Sequence, residues 1–292
     1  MSPIVAMYVA QAIHGLAYGM LLFLVASGLT LIFGMMGVLN LAHASFFMLA
    51  AYLCYESYQW VDSFWVALLV APIIVAFVGI LIERFFLRRL ERGDLGHIGQ
   101  ILLTLGVSLM ILGVVKIRWS TEPLVIRMPE SLEGLVNIFG LEYPIYRLFI
   151  IAISLLILGI LSFLLYKTRL GKIVRAAVTD ADMVDALGIN IPLVFTSIFG
   201  IGTWMAGVAG VVSAPVLSVF PGLADQIGMD AFVVVIVGGF GSLLGALLAS
   251  LVFGELNSFG VQFIPRLAPV LMFLFMVLVL SFKPTGFFGD RE

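Results

Sequence analysis

Residues 1–55 read MSPIVAMYVAQAIHGLAYGMLLFLVASGLTLIFGMMGVLNLAHASFFMLAAYLCY, with no Asp, Glu, Lys or Arg. A hydrocarbon core about 30 Å thick is crossed by roughly 20 apolar residues in an α-helix, so this run holds two membrane spans. The remainder of the chain continues the pattern. Of 292 residues, 62 % are apolar and 11 % charged, with a mean hydropathy of +1.20. A soluble domain is about half apolar and a quarter charged. The composition therefore argues against a water-soluble fold.

Hydrophobic segments lie near 8–34, 38–58, 64–86, 97–117, 146–166, 191–218, 230–258 and 267–283. Backbone groups in lipid must be paired within a helix or around a closed barrel, and these runs far exceed barrel strands of about 10 residues. The expected fold is all-α, a polytopic membrane helix bundle forming one transmembrane domain over 1–292. The opening Met-Ser-Pro-Ile has no basic residue and leads to no clear cleavage site, so a removed signal peptide is not indicated. Cys54 is the single cysteine, which permits no intrachain disulfide and offers no metal spacing.

Basic residues cluster at Arg84, Arg88, Arg89 and Arg92, and again at Lys167, Arg169, Lys172 and Arg175. The positive-inside rule makes both loops cytoplasmic. Between them, 116–147 mixes basic residues with Glu122, Glu130, Glu133 and Glu142 and is expected outside. Counting back puts the N-terminus outside, whereas Lys283 and Arg291 argue for a cytoplasmic C-terminus. Eight full crossings cannot satisfy both. One segment is therefore expected to be a broken or re-entrant pair, and 230–258, interrupted by Gly238-Gly239-Phe240-Gly241, is the candidate. Irregular backbone at membrane depth needs protein or a water-filled cavity around it, so Gly239, Gly241 and Ser242 are candidate translocation-path residues.

Gly202, Ala206, Gly210, Ala214 and Ser218 recur every fourth residue, as do Ser242, Ala246, Ser250, Gly254 and Ser258. Small-residue stripes let helix backbones approach closely, and packing is their expected role. Ionisable residues within or beside the spans are few: Glu83, Asp230, Glu255, Lys116 and Lys283. Near a helix end such groups can reach the interface, and no continuous relay is visible. Asn40 and His43, with Ser45 beyond them, interrupt the apolar run at Gly37–Ala44. An amide and an imidazole there either cap a broken helix or meet a polar solute.

No His-Glu-x-x-His, Cys-x-x-Cys, Gly-x-Ser-x-Gly or phosphate-loop motif is present. Catalysis is not expected, and ATP-driven transport would require hydrolysis on another polypeptide. Residues 168–190 read TRLGKIVRAAVTDADMVDALGIN, in which Ile173, Ala176, Ala177, Met183, Val184 and Leu187 recur at helical spacing. Thr179 or Asp180 can cap a short helix with Asp182 in its acidic first turn, and Gly188 can end it.

Four landmarks then carry a family resemblance from Ala12 to Gly289: Gly37-Val38-Leu39-Asn40-Leu41-Ala42-His43; Arg175-Ala176 with Ala186-Leu187-Gly188-Ile189-Asn190; Gly238-Gly239-Phe240-Gly241-Ser242 with Gly245-Ala246; and Lys283-Pro284-Thr285-Gly286. The chain resembles the LivH-type permeases of branched-chain amino-acid ABC importers. The resemblance implies two partner ATPase subunits that bind ATP and Mg, no cofactor in this chain, a second related permease or a second copy, an external solute-binding protein, and a place in a bacterial inner membrane. It implies no nucleic-acid partner. It further implies a coupling loop over 167–190, with Arg175, Ala176, Asp180, Asp182, Asp185 and Gly188 as ATPase-coupling residues, and alternating access as the mechanism. Ala44, Ala50 and Ala249 stand where glycine is more frequent in the family, and Ser45 where an acidic residue is frequent. That departure leaves urea, short amides or aromatic acids as alternative cargo. A self-contained channel or secondary transporter is the competing class.

Overall fold

A computed structural model describes residues 3–91, 96–138 and 140–289. Arg92 and Arg291 of the basic groups lie outside the described residues. The elements follow in order: α1 (Pro3–Met36), α2 (His43–Val61), α3 (Phe64–Ile82), a π-helical turn (Glu83–Leu87), α4 (Arg88–Glu91), α5 (Gly96–Trp119), a 3-10 turn (Glu130–Leu132), β1 (Leu135–Ile138), β2 (Leu141–Pro144), α6 (Ile145–Lys167), α7 (Arg169–Thr179), α8 (Ala181–Ala186), α9 (Ile191–Ser213), α10 (Leu223–Gly238), α11 (Leu243–Phe263) and α12 (Ala268–Phe282). Among the described residues six helices are long and apolar enough to cross a membrane, namely α1, α3 with its extension, α5, α6, α9 and α11. The protein is a multi-pass all-α membrane bundle. Its small antiparallel ribbon, Leu135 opposite Pro144 through Ile138 opposite Leu141, was not foreseen, because four-residue strands leave no periodic signal.

Helix α1 is the mast of the bundle. In its most apolar 18-residue window 83 % of residues are buried, against 28 % for α3 and α6. The small residues explain how neighbours approach it. A Cβ on Gly19 would lie 2.7 Å from the Ser250 carbonyl oxygen on α11, and one on Gly254 would lie 2.6 Å from the Gly19 Cα. On another face Gly28 meets Gly202 of α9. Helix α9 in turn presses Gly207 against Pro72 of α3, 2.7 Å from a built Cβ. Both stripes thus serve packing, as their spacing implied. Of the alanines in glycine-rich positions, Ala50 is accommodated by Gly210, whose own Cβ would come within 2.9 Å of it.

Helices α1 and α11 run antiparallel. Ser258 Oγ donates to the Gln11 carbonyl at 2.8 Å near one end, and Gly34 abuts Gly241 at the other. The C-terminal turn packs at that second end, where Phe287 N–H bonds the Val237 carbonyl at 2.8 Å. The two described ends of the chain therefore lie at opposite ends of the bundle. The expected pair is present: α10 and α11 are separate antiparallel helices joined at Gly239–Ser242, with Gly239 at φ 94° and Gly241 at φ 80°.

Several expectations need correction. Helix α10 starts at Leu223 rather than near 230, because Asp225 and Asp230 lower the local hydropathy of a helix whose Leu223, Ala224, Ile227 and Gly228 are buried. Helix α9 ends at Ser213, short of 218, and α2 begins at His43, leaving the preceding break non-helical. Glu83 does not reach the interface from a helix end. It is 2 % exposed, and Thr196 Oγ1 donates to it at 2.5 Å. Asp230 is half-buried and accepts from Tyr18 at 2.7 Å, inside the bundle.

Candidate functional site

Two places collect the candidate residues. The first is a corner at the Gly34 end of the bundle. Thr168 caps α7 by accepting from Gly171 N–H at 3.2 Å, and Arg175 holds the Leu165 carbonyl, tying α7 back to α6. Helix α7 is an amphipathic element distinct from the one expected. It buries Val174 and Ala177 while Ala176 faces outward. Asp180, not Thr179, caps α8, its Oδ1 accepting from Met183 N–H at 2.9 Å. Gly188 follows at φ 84°, a conformation that favours glycine.

Helix α8 anchors itself through Val184, at 4 % exposure, with the half-buried Ala181 packed against the same cluster. Met183 and Leu187, which share its helical spacing, are 64 % and 75 % exposed. Asp182 and Asp185 stand beside them, also exposed. The corner thus offers two large apolar side chains framed by carboxylates, a combination that an isolated helix in water would not favour. A polar cleft of about 620 Å³ lies between this corner and the start of α4, lined by Arg88, Asp182, Asp185, Asn190 and Phe195 among others.

The second place is the break between α1 and α2. Helix α1 ends as Gly37 turns to φ 64°. Asn40, fully buried, accepts Ala42 N–H at 3.1 Å through Oδ1, and its Nδ2 has no partner. His43, at 1 % exposure, bonds the Val25 carbonyl at 3.0 Å through Nε2. A carbonyl only accepts, so Nε2 carries the proton and the unpartnered Nδ1 presents its lone pair inside the bundle. Ser45 Oγ pairs with Ser108 Oγ at 2.7 Å.

Helix α5 supplies residues that the sequence reading passed over. Thr104 Oγ1 takes the Leu41 N–H at 3.3 Å, and Gln100, 6 % exposed, keeps an unpartnered Oε1. Gln100, Thr104 and Ser108 recur every fourth residue, so they form one polar stripe along α5. That spacing was visible, although it lay within a span read only for hydropathy.

Gly239, Gly241 and Ser242 do not join Asn40, His43 and Ser45. Ser242 caps α11 by accepting Gly245 N–H at 3.0 Å, and Gly239 is backed by Phe288 and Gly289. Their turn instead borders a cavity of about 570 Å³ that Arg175, Val178 and Thr179 of α7 also line. The connection sits beside the corner.

Residues 11–280 match the family described as branched-chain amino acid transport system / permease component. The chain belongs to that family. It is thereby a membrane permease component of an ABC-type importer, and a non-catalytic one. The permease is 28 % identical to the high-affinity branched-chain amino acid transport system permease protein BraD of Pseudomonas aeruginosa, over 99 % of this chain and 98 % of that one. It is 26 % identical to LivH of Escherichia coli K12, a permease protein of the same kind of system, over 98 % and 96 % of the two chains. A probable LivH of Methanocaldococcus jannaschii is also 26 % identical, over 93 % and 90 %. Among solved structures, PsaBC from Streptococcus pneumoniae in complex with Fab shares the fold. The TM-score is 0.50 at 11 % identity, covering 92 % of this chain and 89 % of that one.

Proposed function

We propose that this permease moves branched-chain amino acids, or small polar solutes like them, by alternating access powered by two ATPase subunits docked on the α7–α8 corner. The observation that carries the reading is the outward pair Met183 and Leu187, framed by Asp180, Asp182 and Asp185, on a helix fixed at both ends by Asp180 and Gly188. Exposed apolar side chains that a partner can bury, with a charged surround, are what a docking surface requires. The names of the relatives supply the solute class.

In this reading the corner faces the cytoplasm of a bacterial inner membrane, with Arg84, Arg88, Arg89, Lys167, Arg169 and Lys172 on the same side. The N-terminal end of α1 faces outward and the C-terminal turn inward. A second related permease or a second copy completes the pore, an external binding protein delivers solute, and lipid surrounds the assembly. ATP and Mg are held by the ATPases. Asn40, His43 and Ser45 border the route, whereas Gly239, Gly241 and Ser242 serve as the turn that seats α7. A ligand shifts such an equilibrium only through its different affinity for the two states, so nucleotide must reach the solute route through this corner.

Affinity purification of the tagged permease from its native membrane, followed by mass spectrometry, tests the assembly. Recovery of ATPases with a binding protein holding a branched-chain amino acid supports the reading. A chain recovered alone that passes solute in vesicles overturns it in favour of a self-contained channel.

A further inference from the structure

We propose that Glu83 and Thr196 form the joint through which motion of the α7–α8 corner reaches α3, with Glu83 acting as a positioning residue. The inference rests on the reading of that corner as the ATPase dock. Glu83 opens the π-helical turn at the end of α3, where Arg88 N–H reaches back to the Glu83 carbonyl, five residues earlier. Such wide turns inside helices recur at functional sites. One extra residue per turn is a backbone register that can be gained or released.

The side chain of Glu83 is buried at 2 % exposure, and Thr196 Oγ1 donates to its Oε2 at 2.5 Å. Thr196 lies in the second turn of α9, whose cap Asn190 directly follows the α8 corner. The hydroxyl has a single proton, yet the Pro192 carbonyl is also within reach at 2.8 Å. It can therefore pass from Glu83 to its own helix without being stranded, which makes the link reversible.

Beyond this joint α3 and α9 are already locked together. A Cβ on Gly79 would lie 2.5 Å from Thr203 Oγ1, and one on Gly200 would lie 2.9 Å from Ile80. Displacement of α9 at its capped end must then either carry α3 with it or break the Glu83 bond. Arg88, the residue that closes this turn and opens α4, lines the same open polar cleft as Asp182 and Asp185.

The test uses the complete importer in lipid nanodiscs or vesicles, with solute uptake and ATP hydrolysis measured together. Thr196→Val removes the donor at nearly constant volume, Glu83→Gln replaces the carboxyl by an amide, and Thr196→Ser keeps the hydroxyl. The expected result is a fall of about ten-fold in solute moved per ATP for Thr196→Val, the size of one hydrogen bond. Glu83→Gln should fall in the same direction, hydrolysis should remain responsive to binding protein, and Thr196→Ser should restore the ratio. Uptake and hydrolysis declining in step with the amount of folded complex would overturn the proposal, as would a Thr196→Val ratio equal to wild type. A wild-type importer whose hydrolysis ignores the permease would overturn the corner reading itself, and that failure is seen before any substitution.

Discussion

Gly28 and Gly202 meet backbone to backbone in the middle of the bundle: a Cβ on Gly28 would lie 2.6 Å from the Gly202 carbonyl oxygen, and one on Gly202 would lie 2.9 Å from the Gly28 carbonyl oxygen. The His43 ring closes the third side, 3.0 Å from the same built Cβ on Gly28. A side chain on Gly28 would meet both the α9 backbone and the buried imidazole. Gly28→Ala is therefore expected to destabilise the protein by about 1–3 kcal/mol, the usual cost of overpacking. Thermal unfolding in detergent, monitored by size-exclusion chromatography, reads this directly.

His43→Leu removes the side-chain bond to the Val25 carbonyl, which keeps its own bond within helix α1. The expected loss is about 0.5–1.5 kcal/mol, the net worth of one hydrogen bond. Measuring unfolding beside the solute concentration dependence of uptake separates two roles. A shift in apparent KM among the folded molecules marks contact with the solute route, and a loss of stability alone marks the cap.

Replacing Gly188 and Asp185 together, as Gly188→Ala with Asp185→Ala, acts at the corner. A non-glycine residue at φ 84° costs about 1–3 kcal/mol of local strain. Asp185 is exposed and makes no bond that holds the bundle. ATP hydrolysis stimulated by binding protein should be abolished while the permease still elutes as a folded species. Intact transport in the double variant would remove the corner from the mechanism.

Ser45 and Ser108 form a test of the α2–α5 seam. Each single change to Ala strands a hydroxyl, whereas the double change removes both. The double variant should be more stable than the sum of the singles by about 0.5–1.5 kcal/mol, the worth of one hydrogen bond. A double-variant cycle in thermal unfolding measures that coupling.

What could be read from the sequence divides along a physical line. The six long apolar helices, the Gly238–Gly241 interruption and the Asp180 and Gly188 boundaries of α8 were legible because each depends on local hydropathy, backbone freedom or capping. The start of α10 was hidden because Asp225 and Asp230 masked helical residues that are buried only in the folded bundle. The burial of Glu83 depends on Thr196, 113 residues further on, so no local pattern announces it. The Gln100, Thr104 and Ser108 stripe was present in the text but acquires meaning only once Leu41 and Ser45 lie opposite. Gly239, Gly241 and Ser242 were read from their chemistry as route residues, and their position beside α7 required the third dimension.

The central position of α1 has a consequence for how the protein is made. Helix α1 precedes α9 and α11 in the chain, so the surfaces that enclose it are synthesised later than it is. Gly28 waits for Gly202, and Gly19 for Ser250. At a synthesis rate of about 5–20 residues per second, that delay is roughly 10–50 s. During that interval the bare glycine faces of α1 rest against lipid or an insertion factor. Assembly of this permease is thus a late capture of a segment made well before its neighbours, and a truncated product ending before α9 leaves α1 without the contacts that define its place.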